Sequence, residues 1–206
     1  MAYSFTLQPP PTPSPSTGRR VVVTGAAGRI GRSFTRFAAD RYALRQMVHP
    51  RADRDGLEAH GEVATGDIRD EARLQEVFAG QDTVLHLAAD PGPDTGWDEL
   101  LPHNVIGARN VFRAAIQAGL RRVVFASSIH AVSGYPAAHQ VQPDEPVNPG
   151  DEYGVSKCFG EAMARYAATQ HGLSAICVRI GAFKSRDEAV DDRTLHYMHC
   201  FVSHRD

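Results

Sequence analysis

The sequence predicts an α/β protein: a doubly wound parallel sheet in a three-layer sandwich. Three observations predict it. From residue 19 onward, short apolar runs alternate with longer segments of helical period, a pattern that demands crossover connections and parallel strands. The first run, "RRVVVTG", is apolar on successive residues, as expected of a strand covered on both faces. It passes directly into "GAAGRIG", a glycine-rich turn that opens a helix. Crossovers are right-handed, which gives the sandwich. The turn puts the first strand beside the switch point, so the expected strand order is 3-2-1-4-5-6.

The elements follow in order. Residues 1–18 end in "PPPTPSPSTG", too rich in proline and serine to pack, and are expected to be a disordered tail. The first strand is expected at 20–24. "GRIGRSFTRFAAD" is a helix in which Ile30, Phe34 and Phe37 are spaced for one buried stripe. "YALRQMV" and "GEVATGD" give strands near 42–48 and 61–66, and "RDEARLQEVFAG" a helix stopped by Gly80. "DTVLHLAA" is a strand near 82–88, and "HNVIGARNVFRAAIQAG" a long helix ending at Gly119. "RRVVFASS" is a strand near 121–127, "DEYGVSKCFGEAMARYAATQHG" a helix, and "LSAICVRIG" a strand near 173–181. Residues 19–206 therefore read as one domain.

Composition narrows the function. The 206 residues carry a formal charge of −2, which argues against a nucleic-acid or anionic-membrane partner. Cys158, Cys177 and Cys200 are odd in number and widely spaced, so reduced thiols in a cytoplasmic protein are expected. No apolar run approaches membrane-spanning length, and the N-terminus has no secretory pattern. A small-molecule partner fits, and self-association into a homo-oligomer is compatible with this composition.

The glycine turn places Gly25, Gly28 and Gly31 at G-x-x-G-x-x-G spacing, with Arg29 and Ile30 inside it. Gly25 allows the tight turn, Gly28 lets backbone approach a pyrophosphate, and Gly31 lets the helix pack on the sheet, the arrangement of a dinucleotide-binding Rossmann fold. The helix N-terminus offers free N–H groups to phosphate. Asp67, followed by Ile68, ends the third strand. It can accept a hydrogen bond from an adenine amino group or cap the helix after it. Leu87, Ala88 and Ala89 end the fourth strand, where small residues let a ribose or nicotinamide lie close to backbone. Val48 stands where the second strand often carries an acid that reads the ribose, and Arg51 and Arg54 follow. An arginine there pairs with a 2′-phosphate, so the expected cofactor is NAD or NADP.

Tyr153 and Lys157 stand four residues apart and share a helix face. Ser127 and Ser128 end the fifth strand, and Asn104 begins the preceding helix, so all converge where doubly wound sheets bind ligands. With these residues the chain resembles the extended short-chain dehydrogenases/reductases, the NAD-dependent epimerase/dehydratase family. Gly25, Gly28, Gly31, Asp67, Ser128, Tyr153 and Lys157 match that family's motifs across residues 19 to about 181. The resemblance implies catalytic roles for Tyr153, Lys157, Ser128 and Asn104. Oxidising an alcohol needs a base, and a free tyrosine, with a pKa near 10, is too weakly ionised to serve. Lys157 is expected to stabilise the tyrosinate, Ser128 to bond the substrate oxygen, and Asn104 to hold a water that links the lysine to solvent.

The second half, with "VVFASSIHAVSGYP", "EYGVSKCFGEAMARY" and "FVSHRD", also resembles uronate dehydrogenases, which oxidise the anomeric carbon of a hexuronate. That resemblance implies substrate contacts from His130 and, more loosely, Arg193. Pro91 and Ile129 depart from the group's serine and asparagine. The family continues beyond the point matched by Asp206, so the resemblance implies a truncated C-terminus, with a partial substrate-binding segment from about 182 and little or no C-terminal lobe. An NAD(P)-binding module without efficient turnover and a sugar-nucleotide epimerase or dehydratase are the other readings. His196, His199, Cys200 and His204 have helical spacing, but no second ligand-rich segment completes a metal site, and none is expected.

Overall fold

The computed structural model describes residues 18–92, 94–184 and the backbone of 201–203. Six strands form one parallel sheet: β1 (Arg20–Thr24), β2 (Ala43–Val48), β3 (Glu62–Thr65), β4 (Thr83–His86), β5 (Arg122–Ser128) and β6 (Ser174–Ile180). Their order is β3-β2-β1-β4-β5-β6, the order expected from the glycine turn. The helices are α1 (Arg29–Ala38), α2 (Glu71–Phe78), α3 (Trp97–Leu100), α4 (Gly107–Gln117) and α5 (Glu152–His171). Beyond the sheet, β7 (Ala182–Lys184) pairs in parallel with β8 (Phe201–Ser203).

Alternation along β1 sorts the core. Val22 points into a cluster with Leu74, Phe78, Val111 and Phe112, contributed by α2 and α4 and continued by Ala164 and Ala167 of α5. Val21 and Val23 point the other way, against Ala38 of α1 and Leu57 of the β2–β3 connection. Three layers therefore exist, but the second helical layer is thin. Among the described residues, α1 is its helix. On β6, Ile176 and Val178 remain 44% and 43% exposed.

Two helices differ from expectation. In α1 the fully buried side is Gly31, Thr35 and Ala38, while Phe37 is 62% exposed. Gly31 sets that face: a Cβ there would collide with the Gly25 carbonyl and Ala26, so the helix axis lies too close to the turn for a large residue to face inward. The helix expected to start at "HNVIGARN" starts earlier, at Trp97, and passes through a π-helical stretch, Leu101–Ile106, before α4. Such a turn carries Asn104, and π-bulges frequently mark functional sites.

α5 is held close to the sheet by Gly160, whose missing side chain leaves room for the Phe125 ring of β5. Its N-cap is Asp151, whose Oδ1 accepts from the Gly154 N–H at 2.6 Å. Gly172, left-handed at φ 65°, closes its C-terminus. These constraints fix the axial position of Tyr153 and Lys157.

Candidate functional site

The carboxyl ends of β1, β2, β4 and β5 open into one cavity of about 1030 Å³. Gly25, Gly28, Arg29, Ile30 and Gly31 line it at the first turn; Asp67 and Ile68 line it after β3; Leu87, Ala88 and Ala89 line it after β4. Ser128, Tyr153 and Lys157 close its other end.

Several observations test the fit to a dinucleotide. Gly25 has φ 73°, and a Cβ on it would meet the Ala88 nitrogen at 2.7 Å, so only glycine lets β1 and the β4 end close here. Gly28 faces open space apart from the Gly25 carbonyl. It caps α1 without a side-chain bond, and no acid sits in the first helical turn. The N–H groups and positive dipole end of α1 are therefore available to an anion. The residues fit a pyrophosphate.

Asp67 lines the cavity but does not cap the helix after it. The N-cap of α2 is Asp70, which accepts from the Arg73 N–H at 3.0 Å. Asp67 instead receives Arg69: the Arg69 backbone N–H at 2.9 Å, and its guanidinium at 2.6 Å. The Arg69 side-chain bonds, opposed by burial, hold the Asp67 carboxyl down at about 2. His49 Nε2 lies 3.6 Å from the same carboxylate.

Arg51 does not line the cavity. Its backbone N–H donates to His49 Nδ1 at 3.2 Å, in the bend that turns the chain away after β2. Arg32 and Asp53 line the cavity instead.

At the other end, Tyr153 is 9% and Lys157 4% exposed. Lys157 Nζ donates to the Ala126 carbonyl at 3.1 Å and lies 5.4 Å from the centre of the Tyr153 ring. Burial draws the Lys157 ammonium down to about 8. Burial also raises the Tyr153 phenol, while a side-chain bond with Ser128 pulls it down and the Asp151 and Asp90 carboxylates push it up. Desolvation is the largest influence on the phenol, and the Lys157 ammonium donates to the Ala126 carbonyl. Beneath Lys157, His86 is fully buried beside Phe125 and shares a 2.8 Å hydrogen bond with Thr24 Oγ1. Burial and the nearby lysine hold it neutral, with a pKa of about 3.

Asn104 does not line the cavity. Its side chain accepts from the Asp90 N–H at 2.7 Å and donates to the Asp90 carbonyl at 3.0 Å and to Ser156 Oγ at 3.1 Å. Ser156 in turn donates to the Tyr153 carbonyl at 2.7 Å. The side chain thus clamps the loop after β4 to α5, with both amide hydrogens engaged. His130 also stands outside the lining. Its ring meets the Tyr153 ring edge-on, 5.3 Å between centres, and its Nδ1 shares a 2.6 Å bond with Asp151 Oδ2. Arg193 lies outside the described residues, as do His196, His199, Cys200 and His204. Among the described residues no group of three or more His, Cys, Asp or Glu side chains is placed to hold a metal ion.

Asp90, Ser156, Asp151 and the Ser127–Glu161–Arg179 network escaped the sequence reading. Ser127 donates to Glu161 at 2.5 Å, and Arg179 grips the same carboxylate through two bonds of 3.0 and 2.9 Å. Only Asp151 had a local signal, an acid just before a helix; the others meet across separate elements.

Comparison with known proteins agrees with this geometry. The model of the Epimerase family, described as "NAD dependent epimerase/dehydratase family", matches residues 21–202. An L-arabinose 1-dehydrogenase (NAD(P)(+)) from Haloferax volcanii is 39% identical over 181 residues, covering 82% of this chain and 69% of that protein. A uronate dehydrogenase from Agrobacterium fabrum is 36% identical, covering 80% of this chain and 61% of that protein. The crystal structure of uronate dehydrogenase from Agrobacterium tumefaciens superposes with a TM-score of 0.79 at 34% identity, over 91% of this chain and 68% of that one. The chain thus spans between 61% and 69% of the length of these relatives.

Proposed function

The chain belongs to the NAD-dependent epimerase/dehydratase family, and from that premise we propose that it is an NAD(P)-dependent oxidoreductase that takes hydride from a sugar or sugar acid. The observation that carries this reading is the single cavity running from the Gly25–Gly31 turn to Tyr153, Lys157 and Ser128. One end suits a pyrophosphate and the other an alcohol. The similarity to an L-arabinose 1-dehydrogenase and to uronate dehydrogenases supports oxidation at the anomeric carbon of an aldose or hexuronate.

When bound, the oxidised nicotinamide supplies the hydride acceptor. The protein's residues handle the proton. Tyr153, in its ionised tyrosinate form, accepts it from the anomeric hydroxyl as the C–H bond breaks, the hydride leaves for the nicotinamide and the lactone carbonyl forms. Ser128, which lines the same end of the cavity as Tyr153, holds the same substrate oxygen in line. Lys157 offers a cation on the buried side of the phenol and, with a pKa of about 8, passes a proton readily near neutral pH. Asn104 fixes the chain at Asp90 against α5, so that the β4 end and the tyrosine helix move as one body.

His130 and Arg193 are the proposed substrate-side contacts. An arginine pairs with a carboxylate through two directional bonds, which would separate a uronate from a neutral sugar. Cys158 and Cys177 are free thiols, which suits the reducing cytoplasm. No described helix is long and apolar enough to cross a membrane.

The test is direct. The protein is incubated with L-arabinose, glucuronate or galacturonate and each dinucleotide, and the absorbance of the reduced nicotinamide is followed. Turnover on at least one sugar supports the reading. Cofactor binding without turnover on any of them assigns the chain to the binding-module class.

A further inference from the structure

The end of β2 carries Val48, which cannot read a ribose hydroxyl, and Arg51, which does not line the cavity. What takes their place comes from farther along the chain. The connection after β2 bends back until Asp53 lines the cavity. It is drawn there by Arg32 of α1. Arg32 Nε donates to the Ala27 carbonyl in the glycine turn at 3.1 Å, and its Nη1 to the Asp55 carbonyl at 2.7 Å. Its Nη2 donates to the Asp53 carbonyl at 2.8 Å and to Asp53 Oδ2 at 3.1 Å. One guanidinium therefore ties the glycine turn to the returning loop.

This geometry has a directional result. Arg32 has four bonds to protein oxygens, so its charge is largely committed. The Asp53 side chain remains 77% exposed, and its Oδ1 accepts only a short-range bond from the Asp55 N–H at 3.0 Å. A carboxylate with free lone pairs accepts from a hydroxyl and repels a phosphate. Beside it, His49 faces the Asp67 carboxylate, which already holds Arg69.

We propose that Asp53, positioned by Arg32, reads the 2′ position of the adenine ribose and makes this site prefer NAD to NADP. The acid absent from the strand end is thus supplied by the loop. This rests on the dinucleotide reading above and deepens it: a 2′-hydroxyl donates to Asp53, whereas a 2′-phosphate meets a carboxylate and an arginine whose donors are already engaged.

The experiment is calorimetric titration of the full chain with NAD and with NADP, without sugar, for wild type, Asp53→Ala and Asp53→Asn. A hydrogen bond to a charged group corresponds to about ten- to a hundredfold in affinity, so wild type should favour NAD by about that factor. Asp53→Ala should weaken NAD by about tenfold and tighten NADP, bringing the ratio towards one. Asp53→Asn, which keeps an acceptor but loses the charge, should retain more NAD affinity than Asp53→Ala while still gaining NADP. The site is exposed, so neither variant threatens folding. Wild type binding NADP as tightly as NAD overturns the proposal, as does an unchanged ratio in Asp53→Ala; both leave the dinucleotide reading intact. A wild-type protein that binds neither molecule overturns both.

Discussion

Lys157 Nζ and the Tyr153 ring centre are 5.4 Å apart, and the ammonium donates to the Ala126 carbonyl rather than to the phenol. The pair is thus pre-placed, and burial, the largest influence on the phenol, raises its pKa. Tyr153→Phe removes the proton acceptor with little change of volume. It should abolish turnover and leave the affinity for NAD within about threefold of wild type, a change below 1 kcal/mol. Steady-state rates and calorimetry measure the two separately. A Tyr153→Phe variant at wild-type rate refutes the proposed chemistry.

The lysine also leaves a mark on stability. Its folded pKa, about 8, lies below the ordinary 10.5. Below pH 8 both states carry the proton, and burial of the charge destabilises the fold. Between 8 and 10.5 the unfolded chain binds more protons than the folded one, so this group makes stability rise with pH, by at most about 1.4 kcal/mol per unit. Urea unfolding of wild type and Lys157→Met at several pH values isolates the effect by difference. The methionine variant should gain stability relative to wild type below pH 8, and the gap should narrow above it.

Asp67 has the opposite sense. Its carboxyl is held at about 2 against an ordinary 3.8, first by the Arg69 side chain. Its stabilising contribution is present above 3.8 and is lost as pH falls towards 2. It stays ionised from pH 5 to 9, so any part it plays in cofactor affinity should be flat across that range. Asp67→Asn should weaken NAD and NADP by the same factor. A change in their ratio would move the reader of the 2′ position from Asp53 to Asp67.

Gly25→Ala should fail for two physical reasons at once. The residue would be forced to a positive φ of 73°, and its Cβ would stand 2.7 Å from the Ala88 nitrogen. A loss of about 1–3 kcal/mol is expected from the backbone alone, measured by urea unfolding, together with loss of dinucleotide binding. Gly28→Ala meets only the Gly25 carbonyl at 3.2 Å. It should keep most of the stability and lose binding, because a methyl would occupy the approach to the α1 N-terminus.

The strands were legible because their residues are apolar in succession and punctuated by glycine, so β1 through β6 fall within one residue of expectation, apart from the β4 end, which stops two residues early. There the chain after His86 leaves the ladder. The glycine turn, Ser128, Tyr153 and Lys157 were legible because each is fixed by a neighbour a few positions away. Asp53 and Arg32 were not. They meet across 21 positions through a loop without periodicity, and nothing in "HPRADRDG" marks which charge turns inward. Phe37 was misjudged because helical spacing gives a stripe but not which stripe faces the sheet; Gly31 decides that by its close approach. The π-helical stretch before α4 was invisible because one extra residue in a turn leaves the local composition unchanged.

Gly160 gives the tyrosine helix its setting without touching any reactant. The Phe125 ring occupies the space where its side chain would be. A methyl group there would lever α5 off the sheet. Tyr153 stands seven positions away along the same rod, about 10 Å by helical rise. A small tilt at such a fulcrum becomes a sideways error at the phenol, and catalytic alignment tolerates little of that. Position 160 should therefore surface in any random search for inactive variants as a hit remote from every ligand, and a second mutation that trims the Phe125 ring should restore it.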